Sequence, residues 1–215
     1  MTPPEKPRKR RYEAPRRAAQ AARTRDAVVA AAKDVFEHHG WSGATVSAVA
    51  ERARVSRQTV EAVFGTKAAL LSAAVDLSIR GDTDPVAMPR RDVVTEMEAA
   101  ADAPTMLDLH ARHIRTINER SAPIAWVVEH AAASAPPVAE LWTTMTANRR
   151  YAVGWAARTL LAKPLAPALG RKEVEETFWV GMDWRTYRSL TDERGLAASA
   201  FERWLRRYYR SMFGV

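Results

Sequence analysis

Residues 40–71 read GWSGATVSAVAERARVSRQTVEAVFGTKAALL, and this stretch decides the fold. Thr45 precedes an apolar face of Val46, Val49, Ala50 and Ala53, and Ser56 precedes another of Val60, Val63 and Phe64. A hydroxyl side chain in that place accepts a hydrogen bond from a backbone N–H of the first turn and so starts a helix. The pattern predicts helices over about 46–53 and 57–63, separated by about three residues, which is helix-turn-helix spacing. Thr66 can cap a longer helix carrying Leu70, Leu71, Val75 and Ile79. Upstream, Val28, Val29, Ala32, Val35 and Phe36 form one helical stripe. With Thr24 as its cap and Gly40 as its stop, that helix spans about 25–39.

The remainder also reads as helix. Residues 81–91 are loop-like in their Gly, Pro and Asp content, and helical segments follow at about 92–101, 104–119, 122–133, 137–162, 171–190 and 195–213. Pro104, Pro123, Pro136, Pro137, Pro164, Pro167 and Gly195 punctuate them. No alternation of period two and no internal repeat appears. The fold class expected is all-α: an N-terminal three-helix helix-turn-helix domain, then a larger helical domain. The expected divisions are a disordered basic arm at 1–22, the helix-turn-helix domain at 23–71 and the larger helical domain at 72–215.

Charge sharpens this division. Residues 1–25 carry nine Lys or Arg against two Glu, and the remaining residues are close to balanced. A Pro- and Arg-rich arm buries little apolar area and is expected to be disordered alone. It can be a solubilising tail, or it can track phosphates beside a DNA-binding domain. Cysteine is absent, which removes disulfides, thiolate metal sites and a cysteine nucleophile. No apolar stretch follows the basic start and no run of 18 apolar residues exists, so neither a secretory signal nor a membrane span is expected. The location expected is cytoplasmic.

Residues 24–71 resemble the DNA-binding domain of TetR-type transcriptional regulators. The resemblance rests on a first helix ending near Gly40, then Ala44-Thr45-Val46, Val49-Ala50, Ala53, Val55-Ser56, Val60, Phe64, Lys67 and Leu70. Beyond residue 71 only the helical pattern and the length agree. The resemblance implies DNA binding for 23–71 and effector binding and dimerisation for 72–215. Two positions depart from the family pattern. Arg54 stands where a turn glycine is usual, and a left-handed conformation there costs a side-chain-bearing residue ~1–2 kcal/mol. Glu61-Ala62-Val63 stands where an aromatic that touches the DNA backbone is usual, and a Glu61 facing DNA would repel phosphate.

The second short helix opens with Arg57, Gln58 and Thr59. The N-terminal end of such a helix meets base edges. Arg suits guanine O6/N7 and Gln suits adenine N6/N7. Thr45 and Ser56 cap their helices, and in the resembling family these cap regions also approach phosphates. Arg54 can add a cation in the turn. Lys67 lies in a first turn, where a cation opposes the helix dipole, and a phosphate there would remove the conflict. Trp41 can pack under helix 1 or lie against the sugar–phosphate backbone. The DNA-contacting set expected is therefore Thr45, Arg54, Ser56, Arg57, Gln58, Thr59 and Lys67. Residues 26–71 carry five basic and five acidic residues, so affinity is expected to draw on the arm as well.

Six of the seven tryptophans lie beyond residue 72. The resemblance implies a small-molecule pocket among the middle helices, with Met106, Leu109, His113, Ile117, Trp126, His130, Trp142, Met145 and Trp179 as candidates. It also implies a homodimer built by the last long helices, with Val174, Phe178, Gly181, Met182, Trp184, Phe201, Trp204, Leu205 and Tyr208 facing the partner. Each of these residues reads equally as core. The partners expected are operator DNA, an effector and a second copy of the chain, with no cofactor and no metal.

Two competing readings stay open. His110 and His113 with Asp108 and His130 can form a metal or acid–base site, although no H-E-x-x-H, Walker A, G-x-G-x-x-G or G-x-S-x-G pattern accompanies them. Alternatively, the arm binds DNA without sequence preference and the helical body serves dimerisation.

Overall fold

A computed structural model describes residues 10–83 and 91–215. Among them are ten α-helices and no strand. The first, α1, is Arg10–Gly43, broken at Gly40, whose φ of 63° and ψ of −175° end the regular helix where the sequence predicts. Its start differs from the sequence expectation. Residues 10–22, expected as disordered arm, continue the helix outward, and all side chains from Arg16 to Arg23 are exposed. Residues 1–9 of the arm lie outside the described residues.

Helices α2 (Val46–Ala53), α3 (Arg57–Phe64) and α4 (Lys67–Arg80) follow. Thr45, Ser56 and Thr66 each cap one of them, accepting 3.0 Å hydrogen bonds from the backbone N–H of Ala48, Thr59 and Ala69. The axes of α3 and α4 are bent by 77° across the Gly65–Thr66 turn. Val28, Ala32, Phe36, Val49, Val60, Leu70 and Leu71 pack as the core of this module. The same core continues into Ile124, Val128, Ala131 and Val138 of the following helices. The boundary expected at residue 71 therefore falls inside one helix, α4.

The larger part holds α5 (Asp92–Ala99), α6 (Ala103–Ala132), α7 (Pro136–Leu161), α8 (Arg171–Gly181), α9 (Trp184–Arg188) and α10 (Ala198–Phe213). A π-helical turn, Ser189–Glu193, extends α9. The segments expected at 104–119 and 122–133 are one helix, α6, which runs through Pro123. Pro123 is exposed while Ala122, Ile124 and Ala125 beside it are buried, so packing holds both halves in line. The segment expected as one helix over 171–190 is broken at Met182–Asp183. Asp183 there caps α9 through Arg185 N–H at 2.8 Å and pairs with Arg149 at 3.0 Å. A second core joins α5, α6, α7, α8 and α10 around Met97, Met106, Leu107, Phe178, Phe201, Leu205 and Tyr209. No single helix among the described residues is long and apolar enough to cross a membrane.

Candidate functional site

The turn between α2 and α3 is Arg54, Val55 and Ser56. Arg54 takes the left-handed conformation, φ 57° and ψ 41°, and its N–H closes α2 by donating to Glu51 O at 3.0 Å. Its side chain is exposed. Ser56 then starts α3, so Arg57 and Gln58 stand exposed on its first turn. Thr59 is half-buried, and its hydroxyl is 2.7 Å from that of Ser56. Arg57 donates from Nε to Glu61 Oε1 at 2.7 Å one turn along. Thr45, Arg54, Ser56, Arg57, Gln58 and Thr59 thus gather around the two helix starts and the turn between them.

Lys67 is placed differently from the others. Its ammonium donates to Trp41 O and lies 4.4 Å from the centre of the Trp41 ring. Trp41 is half-buried, with its ring 6.1 Å from that of Phe36 and nearly parallel to it. Partial burial lowers the Lys67 pKa. The conflict with the α4 dipole is eased within the chain, by a carbonyl and an aromatic face. Arg52 braces the module from the other side, both its Nε (3.1 Å) and Nη2 (2.6 Å) reaching one oxygen of Asp34.

A cavity of about 640 Å³, open to solvent on the side of Tyr151 and Arg185, lies between α4, α5, α6, α7, α8 and α9. Of the candidates, His113, Ile117, Trp142, Met145 and Trp179 line it. Met106 does not: it is fully buried core. Leu109 packs against the same core. Trp126 and His130 are exposed, their rings 4.1 Å apart, with His130 Nδ1 donating to Trp126 O at 2.9 Å. Sequence reasoning missed Val75, Asp76, Ile79 and Arg80 of α4, Asn118 and Ser121 of α6, and Arg149, Trp155 and Trp184, whereas His110, read with His113 as a pocket edge or core group, does line the cavity. The α6 residues carried a signal, since positions 110, 113, 117, 118 and 121 form one helical stripe with His113 and Ile117.

The histidine constellation resolves into separate roles. His110 is buried, its ring edge-on to Phe178 at 4.7 Å and 5.5 Å from Tyr209. Burial, with His113 nearby, pushes its pKa down to about 3. Burial and then Arg120 push His113 down to about 4. Asp108 pairs with Arg210 at 2.9 Å. No group of three or more His, Asp or Glu suited to a metal occurs among the described residues.

Of the residues expected at a dimer face, Val174, Phe178, Phe201 and Leu205 are fully buried within the one chain and present nothing to a second copy. Gly181 is buried too, and its close approach is internal: a Cβ there would lie 2.5 Å from Tyr209 Oη. Met182, Trp184, Trp204 and Tyr208 remain half-exposed. The rings of Trp204 and Tyr208 stack at 5.3 Å.

A capped helix-turn-helix on a wholly helical body that holds a cavity is the architecture of a DNA-binding regulator. Residues 28–74 match the model of the tetR family of bacterial regulatory proteins, which supports a TetR-type regulator. The fold is shared with solved structures. A transcriptional regulator of Rhodococcus is 17% identical at a TM-score of 0.60, over 87% of this chain and 95% of that one. A protein of Mesorhizobium loti assigned to the TetR family of transcriptional regulators is 16% identical at 0.66, over 90% and 96%. A protein of Pseudomonas aeruginosa assigned as a transcriptional regulator is 12% identical at 0.64, over 97% of each chain. No curated protein matches the sequence.

Proposed function

We propose that the protein is a ligand-responsive repressor. It binds a palindromic operator as a homodimer and leaves it when a small molecule fills the cavity. The observation that carries this reading is the double role of α4. Leu70 and Leu71 in its first half belong to the core of the DNA-binding module. Val75, Asp76, Ile79 and Arg80 in its second half line the cavity. A ligand that favours one position of α4 therefore favours one position of α3, and it acts only through its different affinity for the two arrangements.

In this reading Arg57 and Gln58 meet base edges, and Arg54 and the capped starts of α2 and α3 meet phosphates. Lys67 acts mainly by fixing Trp41 and the α4 start. The exposed basic turns of α1 before Thr24 add sequence-independent affinity. The half-exposed Trp204 and Tyr208 supply the dimer face, and a two-fold dimer matches inverted half-sites.

The test is a titration of wild type and Arg57→Ala against a selected operator, single-base variants of it and random duplex. The expected result is loss of preference at one base position per half-site with little change on random DNA. Equal weakening on all duplexes would overturn the base-reading role of α3.

A further inference from the structure

The cavity also constrains the chemistry of its occupant. Its walls are aromatic and aliphatic: Trp142, Trp155, Trp179 and Trp184 face it with Met97, Met145, Ile114 and Ile117. Each charged side chain on its lining already has a counter-ion. Arg80 pairs with Asp76 at 3.3 Å, Arg149 with Asp183 at 3.0 Å, and Arg185 with Asp183 and Glu129. The cation of Arg149 is further covered by the Trp179 ring at 3.8 Å. A ligand charge entering here would find no uncompensated partner, and an unpaired charge in an apolar site is strongly disfavoured.

The α6 wall is polar but uncharged. Asn118 is 4% exposed and His110 2% exposed. Both line the cavity, and Asn118 Nδ2 and His110 Nδ1 have no hydrogen-bond partner in the protein; on the other walls Trp184 Nε1 and the Nε atoms of Arg80 and Arg149 also lack one. Buried polar groups in native proteins are nearly always paired, so the pair on α6 marks where a bound molecule supplies missing atoms without a charged partner. An amide NH₂ can only donate, so the group opposite Asn118 is an acceptor. The neutral imidazole of His110, two turns earlier on α6, donates or accepts according to tautomer.

We infer that the effector is an uncharged, largely aromatic molecule carrying a carbonyl-type acceptor that is held by Asn118 of α6, with His110 two turns earlier on the same wall. The inference rests on the reading of the cavity as the effector site, and its test needs no DNA, so the two can fail separately.

The test is calorimetric titration of the full chain with four probes on one three-ring body. These are 9-acetylphenanthrene, 9-ethylphenanthrene, phenanthrene-9-carboxylate and 9-(aminomethyl)phenanthrene. The acetyl compound is expected to bind about five- to tenfold tighter than the ethyl compound, the worth of one net hydrogen bond. The carboxylate and the ammonium are expected to bind weaker than either. In Asn118→Leu the acetyl advantage should fall to about onefold while ethyl binding persists, which also shows that the cavity remains intact. Tighter binding of either charged probe, an acetyl advantage unchanged in Asn118→Leu, or no binding by any of the four would overturn the assignment. Failure of a bound acetyl probe to release operator DNA would instead count against the regulatory reading beneath it.

Discussion

Arg57, on the first turn of α3, is ion-paired to Glu61 one turn along, its Nε 2.7 Å from Oε1. Both side chains are exposed. The sequence shows Glu61 as a misplaced negative charge near phosphate. The structure gives it a second role, holding the guanidinium in one orientation while DNA is absent. An exposed i,i+4 pair of this kind is worth only ~0.3–0.5 kcal/mol. Releasing Arg57 to a guanine therefore costs little, and removing the carboxylate also removes a repulsion. Glu61→Gln is expected to tighten operator binding by about two- to fivefold, read by fluorescence anisotropy at fixed salt. Weaker binding by Glu61→Gln would show that the pair preorganises the reading head and does not compete with it.

Arg54 sits in the left-handed region without a glycine's freedom. Arg54→Gly removes a strain of ~1–2 kcal/mol and adds back part of it as unfolded-chain entropy. A net gain of about 0.5–1 kcal/mol is expected in chemical denaturation. If the exposed guanidinium meets a phosphate, the same variant should lower the salt slope of DNA binding by about one charge. More stable protein with weaker, less salt-dependent DNA binding is the expected combination.

Gly81 closes α4 at φ 88°, and the Arg120 guanidinium of α6 fills the space over it. Arg120 donates to Ser78 O at 3.2 Å and to Ile79 O at 3.0 Å, satisfying carbonyls at the end of α4. A Cβ on residue 81 would lie 2.4 Å from Arg120 Nη1. Gly81→Ala thus incurs backbone strain and dislodges the clamp, and a loss of about 2–3 kcal/mol is expected in denaturant unfolding. Arg120→Met should lose less, and should alter how strongly a cavity ligand affects DNA affinity, because α4 is then less firmly held at its cavity end.

His110 and His113 are kept neutral by burial, at about 3 and about 4. The unfolded chain takes up protons on histidine near 6.5, so below that pH the unfolded state binds more protons and gains on the folded one. The stability tied to these groups is complete above about pH 6.5. It is lost as pH falls toward about 4 for His113 and about 3 for His110, at roughly 1.4 kcal/mol per pH unit for each. In urea unfolding at a series of pH values, His110→Leu should show about half the wild-type slope between pH 4.5 and 6 (roughly, by the same linkage). An unchanged slope would place the acid sensitivity elsewhere.

The parts of this molecule legible in the sequence are those written in local chemistry. Thr45, Ser56 and Thr66 announce three helix starts because capping needs only a hydroxyl two or three residues before an N–H, and Gly40 announces a stop for the same local reason. The outer turns of α1 carry no such mark. Arg16 to Arg23 bury no side chain, so no apolar stripe reports a helix there. Pro123 signals a break that packing of Ala122 and Ile124 overrides, whereas Asp183 makes a break through a cap and an ion pair that hydrophobic period does not register. The cavity was half legible. His113 and Ile117 share a stripe with Asn118 and His110, but Val75 and Ile79 join them only through the folding of α4 against α6. Phe178 and Phe201 illustrate the opposite limit, since an aromatic on a helical stripe reads alike whether it meets its own chain or a partner.

The account stands or falls on sequence-selective DNA binding by α3. The direct measurement is selection of binding sites by the full chain from a random duplex pool at physiological salt. The enriched duplex and a scrambled duplex of the same composition are then titrated. The account predicts an enriched pair of inverted half-sites bound about 10³-fold or more tighter than the scrambled duplex. A pool that remains random, with equal affinity for both duplexes, would contradict it and leave the basic turns of α1 as the only DNA-binding element.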